Sequence, residues 1–284
     1  MKLKNAYAFE VTEGKIQPEK KDSLWEALRL TLEEPMIVAF TGGGGKTTAM
    51  FCLADELADQ GKRVIVTTST HIFYPVDRIV AEAEDWKTVS DFIAGHKEHF
   101  SPLEGWVLVT GLPEREGKLK GMELTELEKL LSLCDVLLVE ADGAKRLPIK
   151  IPAMKEPVIP KETDAVIGCM GLDCIGEPWE KICFRHELAP RVFGSQTMKD
   201  RITPGDAARI LTSTNGTRKG AESMEYRILM NKADDELQLS RAQAVAEDMG
   251  EQWEKCCAAA SFKESGQSAN SKDKNAFTGK GLTR

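Results

Sequence analysis

The run Gly42, Gly43, Gly44, Gly45, Lys46, Thr47, Thr48 carries the densest chemistry in this sequence. Glycines reach positive φ without steric cost, so such a run lets backbone N–H groups converge on an anion. A lysine at its end supplies a point charge, and the hydroxyl beside it is a ligand for Mg²⁺. Gly42 to Gly45 are expected to form the anion nest. Lys46 is expected to reach the β- and γ-phosphates of a nucleotide, and Thr47, with Thr48 beside it, to face the metal. The pattern G-x-x-x-x-G-K-[ST] is incomplete, because Phe40 stands where its first glycine belongs. A glycine turn without a ligand is the alternative.

Two further clusters suit a nucleotide. The apolar run DVLLVE ends in Glu140, followed by Asp142 and Gly143. A carboxylate at the C-terminal end of a buried strand sits in the crevice where open α/β sheets bind ligands. Either Glu140 or Asp142 is then the magnesium partner, or orients a water; a plain acidic turn is the other reading. The run YRILMN is followed by Lys232, Ala233 and Asp234, which with Asn231 spell N-K-x-D. A carboxylate at Asp234 would accept from N1–H and the 2-amino group of guanine, whereas adenine presents an acceptor at N1. Lys232 would lay its stem over the base and Asn231 would pin the loop. Alternatively Asp234 caps the helix that follows, whose first turn is acidic.

Weaker signals point the same way. TTSTH, residues 67–71, puts four hydroxyls and the imidazole of His71 at a strand end. His71 is a candidate general acid or base, and a hydrogen-bonding turn explains the stretch equally well. AASFK, ending at Lys263, stands where GTPases carry a base-covering loop, or is simply a strand end. Cys169, Cys174 and Cys183 read as buried hydrophobes before they read as metal or selenium ligands. His96 and His99 fall in a polar stretch that suits a solvated helix face.

Several elements must hold these residues in place. DSLWEALRLTL carries a capping box, Ser23 with Glu26, and predicts a helix over 22–32. MIVAF predicts the strand before the glycines, and TTAMFCLADELADQG the helix after them, stopped by Gly61. RVIVTTST, WVLVT, DVLLVE, DAVIGCM and YRILMN predict further strands, and a last one is expected around 255–260. ELTELEKLLSLC and residues 234–249 predict helices, and Thr203-Pro204-Gly205-Asp206 starts another. Uniformly apolar strands alternating with helices imply a mostly parallel sheet covered on both faces. The expected division is an N-terminal segment with one helix (1–34), an α/β domain (35–262) with an insertion or lid at 171–225, and a loose polar tail (263–284).

Bulk properties bound the function. The chain has 284 residues and a net charge of −7, so a broad electrostatic footprint for nucleic acid is not expected. No run of about 18 apolar residues suggests a membrane span, and the N-terminus lacks the apolar stretch of a signal peptide. Seven cysteines without a C-x-x-C pair fit a reducing cytoplasm.

TGGGGKTT is similar to KGGVGKTT, a loop of one branch of P-loop proteins, differing where Thr41 replaces lysine and Gly44 replaces valine. That lysine usually reaches a partner subunit's phosphate, so a dimer-dependent mechanism is not carried over. Together, TGGGGKTT, TTSTHIFYP, VEADGAKRLPIKIPAMKEPVIP, VIGCMGLDCIGEP and NKAD resemble the YqeC-type selenium cofactor biosynthesis proteins, bacterial accessory proteins for selenium-dependent molybdenum hydroxylases. The glycine loop and the N-K-x-D residues are what point to a Mg²⁺-dependent purine nucleotide, GTP favoured over ATP. The resemblance implies a P-loop NTPase-like α/β fold and a role in maturing a selenium-containing molybdenum enzyme. It also implies a molybdenum cofactor or selenium donor, or a hydroxylase apoenzyme, as partner. Lys145, Arg146 and Lys150 would hold an anionic cofactor or form a solvated surface. An ATP-dependent small-molecule kinase or ligase, and a non-catalytic nucleotide-gated chaperone, are the competing readings.

Overall fold

The structure, a computed structural model, describes residues 2–31, 33–73, 80–96, 105–115, 118–194 and 200–263. The tail beyond Lys263, and His99 with it, lie outside the described residues.

Ten strands form the main sheet. They are Lys2–Thr12 (β1), Lys15–Lys21 (β2), Met36–Gly42 (β3), Val64–Thr68 (β4), Val80–Glu82 (β5), Val107–Thr110 (β6), Val136–Glu140 (β7), Ala165–Gly171 (β8), Glu225–Asn231 (β9) and Cys257–Lys263 (β10). Their order across the sheet is β2-β1-β10-β9-β8-β3-β7-β4-β6-β5. From β10 to β5 every pairing is parallel, while β1 runs antiparallel to both its neighbours.

The apolar runs follow from this arrangement. β3, β7 and β8 are buried at every position because helices cover both faces of the sheet. Along β3 the side chains alternate. Val38 and Phe40 pack with Met50, Leu53 and Leu57 of the helix Lys46–Asp59, while Ile37 faces Leu127, Leu130 and Val89 on the other side. Helices Pro204–Thr212 and Glu236–Met249 cover the far end of that other face, through Ile210, Leu211, Val245 and Ala246.

The N-terminal segment differs from expectation. Besides the helix it holds the β1–β2 hairpin, turned by Glu13 (φ 53°) and Gly14 (φ 74°). Two residues at positive φ make the turn whose twist suits a hairpin. The helix is shorter than expected, Leu24–Leu28, and stops where Arg29 turns left-handed (φ 49°). Ser23 caps it, but the Glu26 carboxylate takes the N–H of Asp22 rather than that of Ser23. β10 runs on to Lys263 because β1 pairs with it along that length.

Between β8 and β9, residues 172–224 hold short turns and the helix Pro204–Thr212. Its capping box is the expected one: Thr203 Oγ1 accepts from Asp206 N at 3.2 Å, and Asp206 accepts from Thr203 N at 2.9 Å. Within the same stretch Cys183–Phe184 pairs with Ile149–Lys150. That pairing brings Phe184 and Arg185 to the C-terminal ends of the central strands. None of the described helices is long and apolar enough to cross a membrane.

Candidate functional site

The C-terminal ends of β3 and β7 open into a cleft of about 640 Å³. The glycine loop forms its floor. Gly42 N–H donates to Asp142 at 3.1 Å, Gly43 N–H to the Cys169 carbonyl at 2.9 Å, and Gly44 N–H to the Leu147 carbonyl at 3.0 Å. Three of the four expected nest donors are therefore spent inside the protein. The helix Lys46–Asp59 starts from Gly45 with no side-chain cap, and Gly45 to Thr48 line the cleft. An uncapped helix start leaves first-turn N–H groups for an outside acceptor, and its dipole favours an anion there.

Thr47 Oγ1 donates to Glu140 at 2.5 Å. Asp142 lies on the other side of Lys46. Its carboxylate sits 3.2 Å from Lys46 Nζ and 3.0 Å from Lys150 Nζ. Lys46 also donates to the Gly42 carbonyl at 2.6 Å. Lys150, fully buried, reaches Glu156 at 2.8 Å and the Gly143 carbonyl at 2.8 Å, and Glu156 in turn takes both terminal nitrogens of Arg185. Charges thus alternate along Lys46, Asp142, Lys150, Glu156 and Arg185.

Burial raises the Glu140 carboxyl above its ordinary value, against the pull of Lys46 and the Thr47 hydroxyl. Burial alone would lower Lys46, but Asp142 and Glu140 outweigh it and the ammonium ends raised. Glu156 is partly buried, which opposes ionisation, yet Arg185 and Lys150 bring it down to about 2. A carboxylate depressed from 4.5 to about 2 contributes stability that is fully present above 4.5 and lost as pH falls through about 2. Glu156→Gln should therefore lower the melting temperature at neutral pH, and the gap to wild type should close as pH falls through that window. Thermal unfolding followed against pH checks it; a gap that does not change with pH would refute the pairing.

Of the N-K-x-D residues, Lys232 lines the cleft and Asp234 does not. Asn231 Nδ2 donates to the Gly44 carbonyl at 2.7 Å, so this residue fastens the glycine loop. Lys232 is at the cleft edge and ion-paired with Asp173 at 2.5 Å. Asp235, not Asp234, caps the helix Glu236–Met249, accepting from Gln238 N. Asp234 is exposed. AASFK is strand throughout, with Ser261 fully buried. In TTSTH, Thr68 donates to the Glu140 carbonyl and Ser69 to the Val158 carbonyl, so these hydroxyls fasten the loop; Thr70 and His71 line the cleft. Thr41 is buried and donates to the Thr217 carbonyl. Lys145 and Arg146 are exposed on the cleft, but Lys150 is not part of that surface. Cys169, Cys174 and Cys183 are free and buried, and burial pushes each thiol up. Among the described residues no group of His, Cys, Asp or Glu is clustered to hold a metal.

A model of the family described as YqeC protein matches residues 38–187, just over half of the chain. The chain belongs to the YqeC family. It is 33% identical over 149 residues to the uncharacterized protein YqeC of Escherichia coli strain K12. That alignment takes in 51% of this chain and 55% of the relative, so the chain spans about half the length of the curated relative it matches. The family stretch holds the glycine loop, Glu140, Asp142 and the segment from Lys145 to Arg185, and ends before Asn231.

Three members of the YqeC-family cleft escape a reading of the sequence alone: Glu156, Phe184 and Arg185. Glu156 has as its signal the clustering of charge in the proline-rich stretch after Glu140, and Phe184 and Arg185 have none. Five cations line the cleft, Lys46, Lys145, Arg146, Arg185 and Lys232, against the carboxylates Glu140 and Glu156. With the ion-pair partners Lys150, Asp142 and Asp173 added, six cations face four carboxylates. The cleft is positive in a chain whose net charge is −7, which favours entry of anions.

Proposed function

We propose that this YqeC-family chain is a P-loop-like protein that binds a magnesium purine nucleoside triphosphate in the cleft, GTP in preference to ATP. The observation that carries this is the Thr47–Glu140 pair, 2.5 Å apart, at an uncapped helix start with Lys46 beside it. A hydroxyl and a carboxylate are hard oxygen ligands of the kind Mg²⁺ takes. The metal would neutralise phosphate charge there. Glu140 suits it better than Asp142, which is held between two lysines. The phosphates would be bound by Lys46 and the first-turn N–H groups of its helix. Lys46 must leave the Gly42 carbonyl and Asp142 to reach them. Strand order supports the same reading, since the loop strand lies between the strand that ends in Glu140 and the one that ends in Gly171. The segment 171–225 then acts as the insertion that completes the cleft wall.

Guanine preference rests on Asp234. Its side chain is spared from capping by Asp235, and Asn231 ties its loop to the glycines. Calorimetric titration with GDP and ADP in Mg²⁺ tests both parts. GDP should bind more tightly, and Asp234→Ala should weaken it about 10- to 100-fold, the worth of hydrogen bonds to a charged group, with ADP unchanged. Equal affinities would remove guanine reading, and no binding of either would remove the nucleotide.

The role in selenium cofactor assembly or molybdenum hydroxylase maturation is supported by the resemblance of the motifs, and the buried free thiols suit a reducing cytoplasm. A strain lacking the protein should lose selenium-dependent hydroxylase activity, with rescue by wild type and not by Lys46→Ala. Rescue by the variant would separate that role from the nucleotide. A small-molecule phosphoryl transferase is the second reading, and the basic wall of the cleft favours it.

A further inference from the structure

Six non-glycine residues among those described have a positive φ, and four of them are basic residues of the cleft: Lys145 (49°), Arg146 (64°), Arg185 (62°) and Lys232 (67°). Each stands at a turn or an element end, as do the other two: Lys145 and Arg146 are the central pair of a turn closed by Leu147 N–H to the Ala144 carbonyl at 2.9 Å, Arg185 precedes the helical turn His186–Leu188, Glu13 is in the hairpin turn and Arg29 at a helix end. Long side chains adopt this backbone against steric resistance, whereas glycine adopts it freely. Four basic side chains around one cleft at positions that glycine would fill freely imply that the charge is needed there.

Lys232 stands beside the glycine loop, tied to Asp173. The other three belong to the wall that carries Phe184. The Arg185 guanidinium is 4.3 Å from the centre of that ring and Lys145 Nζ is 5.1 Å from it. Glu156 engages both terminal nitrogens of Arg185 and so fixes its position. An aromatic face attracts cations without cancelling their charge, so Phe184 keeps Lys145 beside Arg185, whose own charge is partly met by the Glu156 it shares with Lys150.

We propose that this wall is a second anion site, in which Lys145 and Arg146, within the field of Arg185, bind the phosphate group of a small phosphorylated molecule. It deepens the nucleotide reading and rests on it for its place in a reaction, as the site of the second substrate. A phosphate offers three acceptor oxygens, enough for two neighbouring cations at once, and the arginine fork matches it. Phe184 is a positioning residue.

Two titrations of the full chain in sequence test this. The first uses a non-hydrolysable magnesium GTP analogue; the second adds inorganic phosphate at saturation, with acetate as the contrasting probe. Phosphate should still bind when the nucleotide site is full, and acetate should not. The double substitution Lys145→Gly with Arg146→Gly should weaken phosphate by about tenfold or more. Its melting temperature should not fall, because glycine relieves the backbone. Phosphate that binds only in the absence of the analogue, or that ignores the double substitution, overturns the second site. So does a marked loss of stability in the glycine pair, which would make these residues structural. An analogue that fails to bind, with phosphate still held through Lys145 and Arg146, would strike the nucleotide reading and leave this site standing.

Discussion

Replacing Lys150 by methionine is expected to cost about 3–5 kcal/mol of folding stability, the range found when one partner of a buried ion pair is removed. Lys150 is fully buried, with Asp142 3.0 Å away and Glu156 2.8 Å away. Methionine fills similar volume, so the loss is of charge more than of packing. Asp142 would keep Lys46, and Glu156 would keep Arg185, which places the effect toward the lower end. Denaturant unfolding at neutral pH measures it, and a change below about 1 kcal/mol would mean that the network tolerates a missing charge. Function should suffer as well, because Asp142 would then hold Lys46 alone and release it to a phosphate less readily.

Gly44→Val should be as damaging, although valine is the residue of the related KGGVGKTT loop. Gly44 has φ +60°, and a Cβ built there falls 1.9 Å from the Gly171 backbone nitrogen and 2.4 Å from the Met170 carbonyl carbon. Neither is a flexible side chain that can move aside. The left-handed backbone costs about 1–2 kcal/mol and overpacking about 1–3 kcal/mol more, so a total near 3 kcal/mol is expected. The loop would be pushed off β8, away from Asn231, and nucleotide binding should disappear with it. A stable, nucleotide-binding Gly44→Val protein would mean that the loop has room to shift. In this chain the glycine at position 44 is a consequence of how closely β8 passes beneath the loop.

The central strands were legible because a strand buried on both faces must be apolar nearly throughout, as MIVAF and the cores of DVLLVE and DAVIGCM are, and as YRILMN is but for Arg227 and the terminal Asn231. The glycine loop and its lysine were legible because their chemistry lies in consecutive residues. The hairpin was not. Its buried positions are Ala6, Ala8, Phe9 and Ile16 among charges, and alanine is a weak strand signal. Its turn is Glu-Gly rather than the stronger Asn-Gly. Lys150 read as one more cation beside Lys145 and Arg146; only its pairing with the distant Phe184 strand shows that it is interior. Asp234 and Asp235 are neighbours of one type, and the extended backbone at Asp235 (φ −144°) decides which of them caps the helix. The directions of the Gly42, Gly43 and Gly44 N–H groups depend on Asp142, Cys169 and Leu147, far away along the chain.

The strand β1 begins at Lys2, yet its sheet partner β10 ends at Lys263. On a ribosome the hairpin is made well before the strand that receives it. Until then the inner edge of β1 has unpaired backbone groups, and so does the edge of β9 that β10 will take. The sheet cannot finish one residue at a time along the chain; the pairing of β1 with β10 is a late step, and among the described residues the most non-local strand pairing. A chain stopped short of Cys257 would keep the glycine loop, Glu140 and Asn231 in its sequence while leaving both edges open to other copies of itself.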